Sequence, residues 1–393
     1  MGDVVSDESI SLFARTIRGI EWCAAAEIEQ RCGATVTEIR HREIRFQLET
    51  VREELRDLGS VDDVFLTCGT VSGLDHTRAA LHFLAQRSSE IDFVRTIAPL
   101  KQLRQIPARP NFDVVASFLG RRNYNRFEIE DTLAEVVRQQ TGWIYAPQRE
   151  TKTDRLDLSF RIHLSGPEAI VGVRLTSAPL HRRAYKLESR TGTLHPPLAY
   201  AMAMLSDLGS KQNVVDPFCG VGTILIEASK LEPRIRALGV DIDHDSARKA
   251  QRTAESAGTT IQVVVGDAGR LPVRDERIDR VMSNPPWGRA VEAEGSIRVD
   301  KHSFFAELRR ISHQGARIVL LLEPSRELQQ SIERSGFAVL LRTPVSLFGS
   351  WPEIHVLSVN GESTLFPDKA HRFGPALEKY WSRWPEILKQ TSA

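Results

Sequence analysis

The chain has 393 residues, of which 41% are hydrophobic and 26% are charged, and its net charge is +1. This composition excludes a disordered chain, and the length predicts two or three globular units rather than one core. The start, MGDVVSDESI, lacks the cationic segment of a secretory signal, and no apolar run reaches the roughly 18 residues of a membrane span. We therefore expect a cytoplasmic protein without a membrane segment.

The first 75 residues alternate short strands with helical patterns. Strands are predicted at 11–17 and 61–70, a strand or hairpin at 35–48, and helices at 21–32 and 51–58. The order β-α-β-α-β is typical of a small α+β sandwich.

The middle of the chain is predicted to hold a second α+β unit. Its helices are expected near 76–87 and 128–140, and its strands at 111–119, 155–164 and 169–175. Residues 1–94 carry a net charge of −7 and residues 95–190 a net charge of +7. A basic middle segment fits either a phosphate-binding surface or an ordinary solvated face, and charge alone does not decide between them.

From residue 211 onward, short apolar strands are each followed by a helix. The strands are predicted at 213–215, 237–240, 261–265, 277–282 and 317–322. This pattern predicts an α/β fold with a mostly parallel sheet, whose ligands bind at the carboxyl ends of the strands. The final pair, 337–347 and 353–359, has too short a link for a crossover helix and should be antiparallel. The tail from residue 364 should pack back onto the body.

Two glycines follow the first of these strands in the segment DPFCGVGT. Gly220 and Gly222 would let the backbone approach a nucleotide-like ligand at the amino end of the next helix, although glycines also form ordinary tight turns. Asp241 ends the next strand about 20 residues later, where an acid can bond ribose hydroxyls. Asp243 is better placed to cap a helix, and Asp267 offers a carboxylate after the third strand.

The fourth strand ends in the segment SNPPWG. Two consecutive prolines make this peptide stiff and leave carbonyl groups without backbone partners. The Asn284 side-chain oxygen and the Pro285 carbonyl could accept the two hydrogens of an exocyclic amine, so that its lone pair is free to attack a methyl group. Trp287 would cover the face of a flipped base. The alternative is a rigid loop whose Trp seals the core.

In this order, DPFCGVGT, GVDID, GDA and SNPPWG look like the motifs of class I S-adenosylmethionine-dependent methyltransferases that act on amino groups. The upstream segments PLHRRAY and GTLHPPLA make the chain resemble, over most of its length, the THUMP-domain RNA guanine-N2 methyltransferases. The resemblance implies a Rossmann-like catalytic domain with a seven-stranded, mostly parallel sheet and an antiparallel last strand. It also implies three domains: ferredoxin-like (1–75), THUMP (76–180) and catalytic (181–393, with a helical tail).

The resemblance also implies roles for individual residues. Asp216, Phe218, Gly220 and Gly222 would surround the methionine part of S-adenosylmethionine, Asp241 the ribose, and Asp267 with Ala268 the adenine. The complete cofactor set is Thr193, Leu194, Asp216, Phe218, Cys219, Gly220, Gly222, Thr223, Asp241, Ile242, Asp267, Ala268 and Asn284. The catalytic set is Asn284, Pro285, Pro286 and Trp287. Two departures are Val221, where relatives often have a hydroxyl residue, and Trp287, where Tyr or Phe is more usual.

The same resemblance implies that the amino-terminal domains hold tRNA. Candidate phosphate contacts are Arg121, Arg122, Arg126, Lys152, Arg155, Arg182 and Arg183. His181 and His195 are expected to have a core or phosphate-contact role rather than a catalytic one. The four cysteines show no metal-ligand spacing, so we predict no metal. Separately, we favour a monomer.

The resulting hypothesis is an enzyme that methylates N2 of a guanosine, with tRNA as the favoured substrate and ribosomal RNA as the alternative. The rivals are a methyltransferase for N6 of adenine in DNA or RNA, one for protein glutamine, and an RNA-binding protein whose methyltransferase fold is inactive.

Overall fold

A computed structural model describes residues 9–147, 149, 156–186, 192–286, 294–359, 365–366 and 372–391. The amino-terminal part contains β1 (Ile10–Arg15), α1 (Glu21–Cys32), β2 (Thr35–Arg40), β3 (Glu43–Leu48), a 3-10 helix (Glu53–Asp57) and β4 (Asp63–Ser72). The four strands are antiparallel and neighbour one another in the order β2-β3-β1-β4. The segment 35–48 is therefore a hairpin. The α-helix predicted at 51–58 is wrong: the segment forms only the 3-10 helix, because the backbone is extended at Arg52 before it and at Leu58 after it.

The middle part contributes α2 (Ala79–Ser88), α3 (Phe93–Thr96), a 3-10 helix (Ala98–Gln102), β5 (Asn111–Phe118), α4 (Arg126–Thr141), β6 (Ile144–Tyr145), β7 (Leu158–Ser165) and β8 (Glu168–Arg174). α4 starts at a capping box, in which the Asn125 side chain and the Glu128 side chain each accept from the other's backbone N–H. β8 pairs antiparallel with β4. One eight-stranded sheet, β2-β3-β1-β4-β8-β7-β5-β6, therefore runs through both parts. The predicted domain boundary at residue 75 lies in the connection between β4 and α2.

The carboxy-terminal half forms a second sheet. Its elements are α5 (Pro196–Leu205), β9 (Asn213–Asp216), α6 (Thr223–Leu231), β10 (Arg236–Asp241), α7 (His244–Ser256), β11 (Ile261–Val265), β12 (Ile278–Ser283), α8 (Ser296–Val299), α9 (Lys301–Ile311), β13 (Ser312–Leu322), α10 (Arg326–Arg334), β14 (Phe337–Pro344), β15 (Glu353–Val359) and α11 (Gly374–Thr391). The strand order is β11-β10-β9-β12-β13-β15-β14, and β15 is antiparallel to both of its neighbours. The predicted α/β fold, with a parallel sheet and an antiparallel last strand, is confirmed.

The strand order reverses between β9 and β12. The chain moves outward from β9 through β10 to β11 and then returns to the other side of β9 with β12. Helices leave from β9 and β12 to different sides of the sheet at such a reversal, which opens a crevice at the carboxyl ends of the strands. The sheet topology thus places the predicted site at one edge.

The two halves are packed tightly against each other. A Cβ on Gly59 would lie 2.2 Å from the Tyr200 ring, so only glycine allows α5 to approach this closely. α11 returns to α1, where Trp381 and Trp22 pack with ring centroids 4.9 Å apart and Lys379 pairs with Glu29 at 2.5 Å. As predicted, the tail packs on the body. None of the described helices is long and apolar enough to cross a membrane.

Candidate active site

A cleft of about 960 Å³ opens at the carboxyl ends of the strands of the second sheet, a volume at the upper end of the range of ligand sites. Nine of the thirteen predicted cofactor residues line it: Thr193, Leu194, Phe218, Gly220, Asp241, Ile242, Asp267, Ala268 and Asn284. Pro285 and Pro286 line the same cleft. The chain segments predicted to meet there do meet.

The glycine loop between β9 and α6 forms the floor of the cleft. Gly220 has φ of +53°, and a Cβ there would project into open space, so its absence leaves room for a ligand against the backbone. Gly222 has φ of +84° and starts α6, where a Cβ would approach the Ile261 and Ala250 side chains at 3.2 and 3.3 Å. The first glycine opens the cleft, and the second lets α6 begin close to its neighbours.

Four predicted cofactor residues lie behind this loop instead of lining the cleft, namely Asp216, Cys219, Gly222 and Thr223. All four are buried at the point where the chain leaves β9 and turns into α6. Burial raises the pKa of the Cys219 thiol well above its usual value. These four residues support the loop from behind, and their predicted contact with a cofactor stays a prediction.

Asp216 joins the two strands at the reversal point. Its Oδ1 accepts the Ser283 hydroxyl at 2.6 Å and the Phe218 N–H at 3.0 Å. Burial raises the pKa of Asp216 to about 7, with the Asp241 charge acting in the same direction and the two hydrogen bonds opposing it. The side chain therefore fixes the glycine loop against the residue that precedes Asn284.

Two further carboxylates face the cleft. Asp241 accepts the Gly220 N–H at 2.8 Å, which ties the strand end to the glycine loop. Asp267 accepts from the backbone N–H groups of Gly269 (2.9 Å) and Ser296 (2.8 Å). Partial burial opposes ionisation of Asp267, but these hydrogen bonds hold its pKa below the usual value. Both groups are hydrogen-bond acceptors that line the cleft.

Asn284 follows β12 directly. Its side-chain Nδ2 donates to the Gly192 carbonyl at 3.3 Å, so its Oδ1 remains an acceptor. Pro285 and Pro286 have no backbone N–H to donate, and their segment lines the same cleft as the glycine loop. This arrangement can hold an amino group through its hydrogens. Trp287, predicted to stack on the base, lies outside the described residues.

The sequence prediction missed the far wall of the cleft. Glu323 follows β13, and the turn between β14 and β15 brings Phe348 to the cleft with 94% of its surface exposed. The Arg18 guanidinium lies 5.4 Å from the Trp351 ring centroid, and the Arg18 carbonyl accepts the Ser346 N–H at 2.9 Å. The available signal was an aromatic pair in a turn that also contains glycine, LFGSW.

Several predicted RNA contacts have other partners in the structure. The Arg183 side chain is only 11% exposed, pairs with Glu227 at 3.0 Å and donates to the Gly59 carbonyl at 2.6 Å, so its role is corrected to an internal bridge. Arg122 donates to the carbonyls of Asp75 and Gly166, which makes it a brace between loops. Arg121, Arg126 and Arg182 are exposed, whereas Lys152 and Arg155 lie outside the described residues.

The charge segregation along the sequence is partly cancelled in the fold. β8 from the basic segment pairs with β4 from the acidic segment, and Arg174 forms an ion pair with Asp63 at 2.6 Å. Glu168 in turn accepts from Arg45 at 2.6 Å. Two exposed arginines, Arg121 and Arg126, remain before and at the start of α4, and the Arg126 guanidinium lies 4.6 Å from the Phe127 ring centroid.

Asp62, His181 and His195 bring potential metal-ligand atoms within 4.8 Å of one another. The His181 Nδ1 lies 3.2 Å from the Asp62 carbonyl, and burial lowers the pKa of His195 to about 4. Asp62 lies just before β4 of the first sheet, and both histidines lie between β8 and α5, so the group links these two segments. The prediction of no metal remains a prediction.

The family profile of the RMKL-like methyltransferase domain (UPF0020) matches residues 183–347. A tRNA (guanine(6)-N2)-methyltransferase from Thermus thermophilus is 32% identical over 253 residues, which cover 63% of this chain and 72% of that protein. The chain belongs to the RNA guanine-N2 methyltransferase family.

Other members of the guanine-N2 methyltransferase family extend the match. The tRNA (guanine(6)-N2)-methyltransferase of Archaeoglobus fulgidus is 24% identical over 83% of this chain and 86% of its own length. The human U6 snRNA (guanine-N(2))-methyltransferase is 29% identical over 50% of this chain but only 37% of its own length. The crystal structure of TrmN from Thermus thermophilus superposes with a TM-score of 0.71 at 26% identity, covering 89% of this chain and 99% of that one.

Proposed function

We propose that this protein transfers a methyl group from S-adenosylmethionine to N2 of a guanosine in tRNA, at position 6. The observation that carries the proposal is the meeting of the Gly220 loop and the segment Asn284-Pro285-Pro286 in one cleft. The activity named for the Thermus and Archaeoglobus relatives supports the same substrate and the same position.

The cleft residues fit S-adenosylmethionine. The open space beside Gly220 can take the methionine part against the backbone, and Asp241 and Asp267 can accept hydrogens from the ribose and the adenine amine. Ile242 and Phe218 provide apolar surface beside them. When bound, the cofactor supplies an electrophilic methyl group on its sulfonium sulfur.

The residues of the chain position the guanine amine. This amine is a weak nucleophile, since its lone pair is delocalised into the ring. The Asn284 Oδ1 and the Pro285 carbonyl accept its two hydrogens and turn the lone pair out of conjugation. The Gly192 carbonyl holds the Asn284 amide in this orientation. Most of the acceleration comes from placing the two reacting groups together in a cleft that excludes water.

The remaining parts of the chain hold the RNA. We assign residues 1–75 to a ferredoxin-like domain, 76–180 to a THUMP domain and 181–393 to the catalytic domain, and we expect a cytoplasmic monomer. The exposed Arg121, Arg126 and Arg182, with the stacking surface of Phe127, supply the charge that phosphates require. The mixed sheet shared by the first two parts supports them as one unit.

The proposal is tested with purified protein and tritiated S-adenosylmethionine. The acceptors are a tRNA transcript with guanosine at position 6, the same transcript with adenosine there, a U6 snRNA transcript, duplex DNA and a protein pool. We expect label in the first transcript alone, recovered as N2-methylguanosine by nucleoside mass spectrometry. Label in protein or DNA alone, or in N6-methyladenosine, would contradict the proposal, and label in U6 snRNA alone would change the substrate RNA.

A further inference from the structure

Glu323 is a carboxylate that the sequence motifs do not include. β12 and β13 run parallel with Ser283 level with Leu320, so Asn284, which follows β12, is level with Leu321 near the end of β13. Leu321 and Glu323 both line the cleft, as the alternation of a strand requires. The Glu323 carboxylate therefore extends from the same edge as Asn284, one strand farther along the sheet.

Its hydrogen-bonding state differs from that of the other cleft acids. The carboxylates of Asp216, Asp241 and Asp267 each accept from a backbone N–H and serve the fold. Among the described residues, no hydrogen bond or ion pair joins Glu323 to the rest of the chain. The side chain is only partly buried. Within the part of the chain that the structure describes, the Glu323 carboxylate is thus an acceptor available to a ligand.

We propose that Glu323 determines the choice of guanine by accepting the N1–H hydrogen of the target base. This inference rests on the proposed function. The N1–H of guanine lies next to its N2 amine, so a base whose amine is held at Asn284 and Pro285 presents N1–H along the same edge of the cleft. A carboxylate has only acceptor sites.

The same position discriminates against adenine. Adenine carries a lone pair at N1 beside its N6 amine, and a lone pair facing a carboxylate repels it and leaves the carboxylate unpaired. Segments such as Asn284-Pro285-Pro286 hold an amine without identifying the ring that bears it. Glu323 supplies the missing selection, because a site built to hydrogen-bond one group strongly rejects the analogue that lacks it.

The experiment uses 2-aminopurine, which keeps the N2 amine but has a lone pair in place of N1–H. tRNAs assembled with guanosine, 2-aminopurine or inosine at position 6 are compared by kcat/KM for wild type, Glu323→Gln and Glu294→Gln. Inosine has no N2 amine and gives the blank. Glu294 is a second glutamate that lines the cleft, which makes its variant the matched control. Calorimetric titration with S-adenosylhomocysteine checks that each variant keeps a folded cleft.

We expect wild type to prefer guanosine over 2-aminopurine by about 10²-fold, which corresponds to one charge-assisted hydrogen bond replaced by repulsion. Glu323→Gln can donate to N1 of 2-aminopurine, so the preference should fall to about 10-fold or less, whereas Glu294→Gln should keep the wild-type ratio. An unchanged ratio in Glu323→Gln, or a wild type that uses both bases equally, would overturn this inference and leave the proposed function intact. Absence of methylation of any guanosine would overturn both.

Discussion

The Ser283 hydroxyl donates to the buried Asp216 carboxylate at 2.6 Å, and this bond joins the two strands between which the strand order reverses. The Asp216 side chain also holds the Phe218 N–H, so the glycine loop on one strand and the Asn284 segment on the other share one anchor. The Asp216 carboxylate therefore links the two halves of the catalytic cleft, in addition to the pairing of β9 with β12. Its two bonds both use Oδ1, which leaves Oδ2 to carry a proton.

Stability should depend on pH through Asp216. Its pKa is about 7 in the folded chain against 3.8 in an ordinary environment, because of burial first and the Asp241 charge second. Between pH 4 and pH 7 the unfolded chain releases a proton that the folded chain keeps, so stability falls as the pH rises, by at most about 1.4 kcal/mol per pH unit. Asp216→Asn keeps Oδ1 and cannot ionise. Its free energy of unfolding relative to wild type should rise across this window and level off above it, as measured by urea unfolding at several pH values. A difference that stays constant would contradict this prediction.

Asn284→Ala should lower kcat by about 10²- to 10³-fold, the usual cost of removing one positioned polar group from a reacting centre. The affinity for S-adenosylhomocysteine should stay within about twofold, because the Asn284 side chain bonds Gly192 and not the glycine loop. Single-turnover kinetics and calorimetry measure the two quantities. Equal losses in both would show that the segment is structural.

Phe348→Ala should weaken RNA binding by about 1–3 kcal/mol, because its fully exposed ring at the cleft can stack on a base. Phe348→Trp should retain binding. Val339→Ala removes another exposed apolar side chain from β14 and serves as the control, with no effect expected. Fluorescence anisotropy with labelled tRNA gives the affinities, and equal affinities for all variants would place the bound RNA elsewhere.

Charge reversal at Arg121 and Arg126 together should reduce tRNA affinity and lower the slope of log affinity against log salt by about one per lost phosphate contact. Arg138→Glu is the control: Arg138 lies on α4 about 18 Å beyond Arg126 along the helix axis, and it already pairs with Glu135. It should leave the slope unchanged. Binding measured between low and moderate salt decides the outcome, and equal slopes in all proteins would exclude this surface.

Arg183→Met should destabilise the protein by about 3–5 kcal/mol, because Glu227, with a side chain only 2% exposed, would lose its cation. Arg182→Met is the neighbouring control, since that side chain is exposed, and it should change stability by less than about 0.5 kcal/mol. Thermal unfolding of both variants tests this pair. Similar melting temperatures would show that Arg183 is not an internal bridge.

The sequence predicted the catalytic half well because its motifs are local. Gly220, Asp241 and Asn284 each follow a strand, and a parallel sheet brings strand ends to one edge whatever the details of packing. No contact between distant segments had to be known. Cys219 and Thr223 could not be distinguished by sequence from the residues that line the cleft, because their burial depends on how sharply the chain turns into α6.

Predictions that depended on distant contacts fared less well. Arg183 was predicted as a surface cation, but in the fold it is bonded to Glu227 of α6 and to the carbonyl of Gly59 in the loop before β4. The net charges of the first two segments suggested a basic surface, but cross-strand pairing of Arg174 with Asp63 neutralises part of it. Such partners lie far apart in sequence, and the hydrophobic periodicity of the chain does not predict which distant residues will pair.

The contact between the first and last helices has a consequence for how a nucleotide is chosen. With Trp22 against Trp381 and Gly59 against Tyr200, the part proposed to bind the RNA is packed directly against the half that holds the cleft. Under the proposed function, this packing would hold the RNA-binding surface at a fixed distance from the cleft. The modified nucleotide would then lie a set number of nucleotides from the bound end, so that lengthening the RNA by one base pair between the bound end and the cleft would move the modification by one nucleotide along the strand.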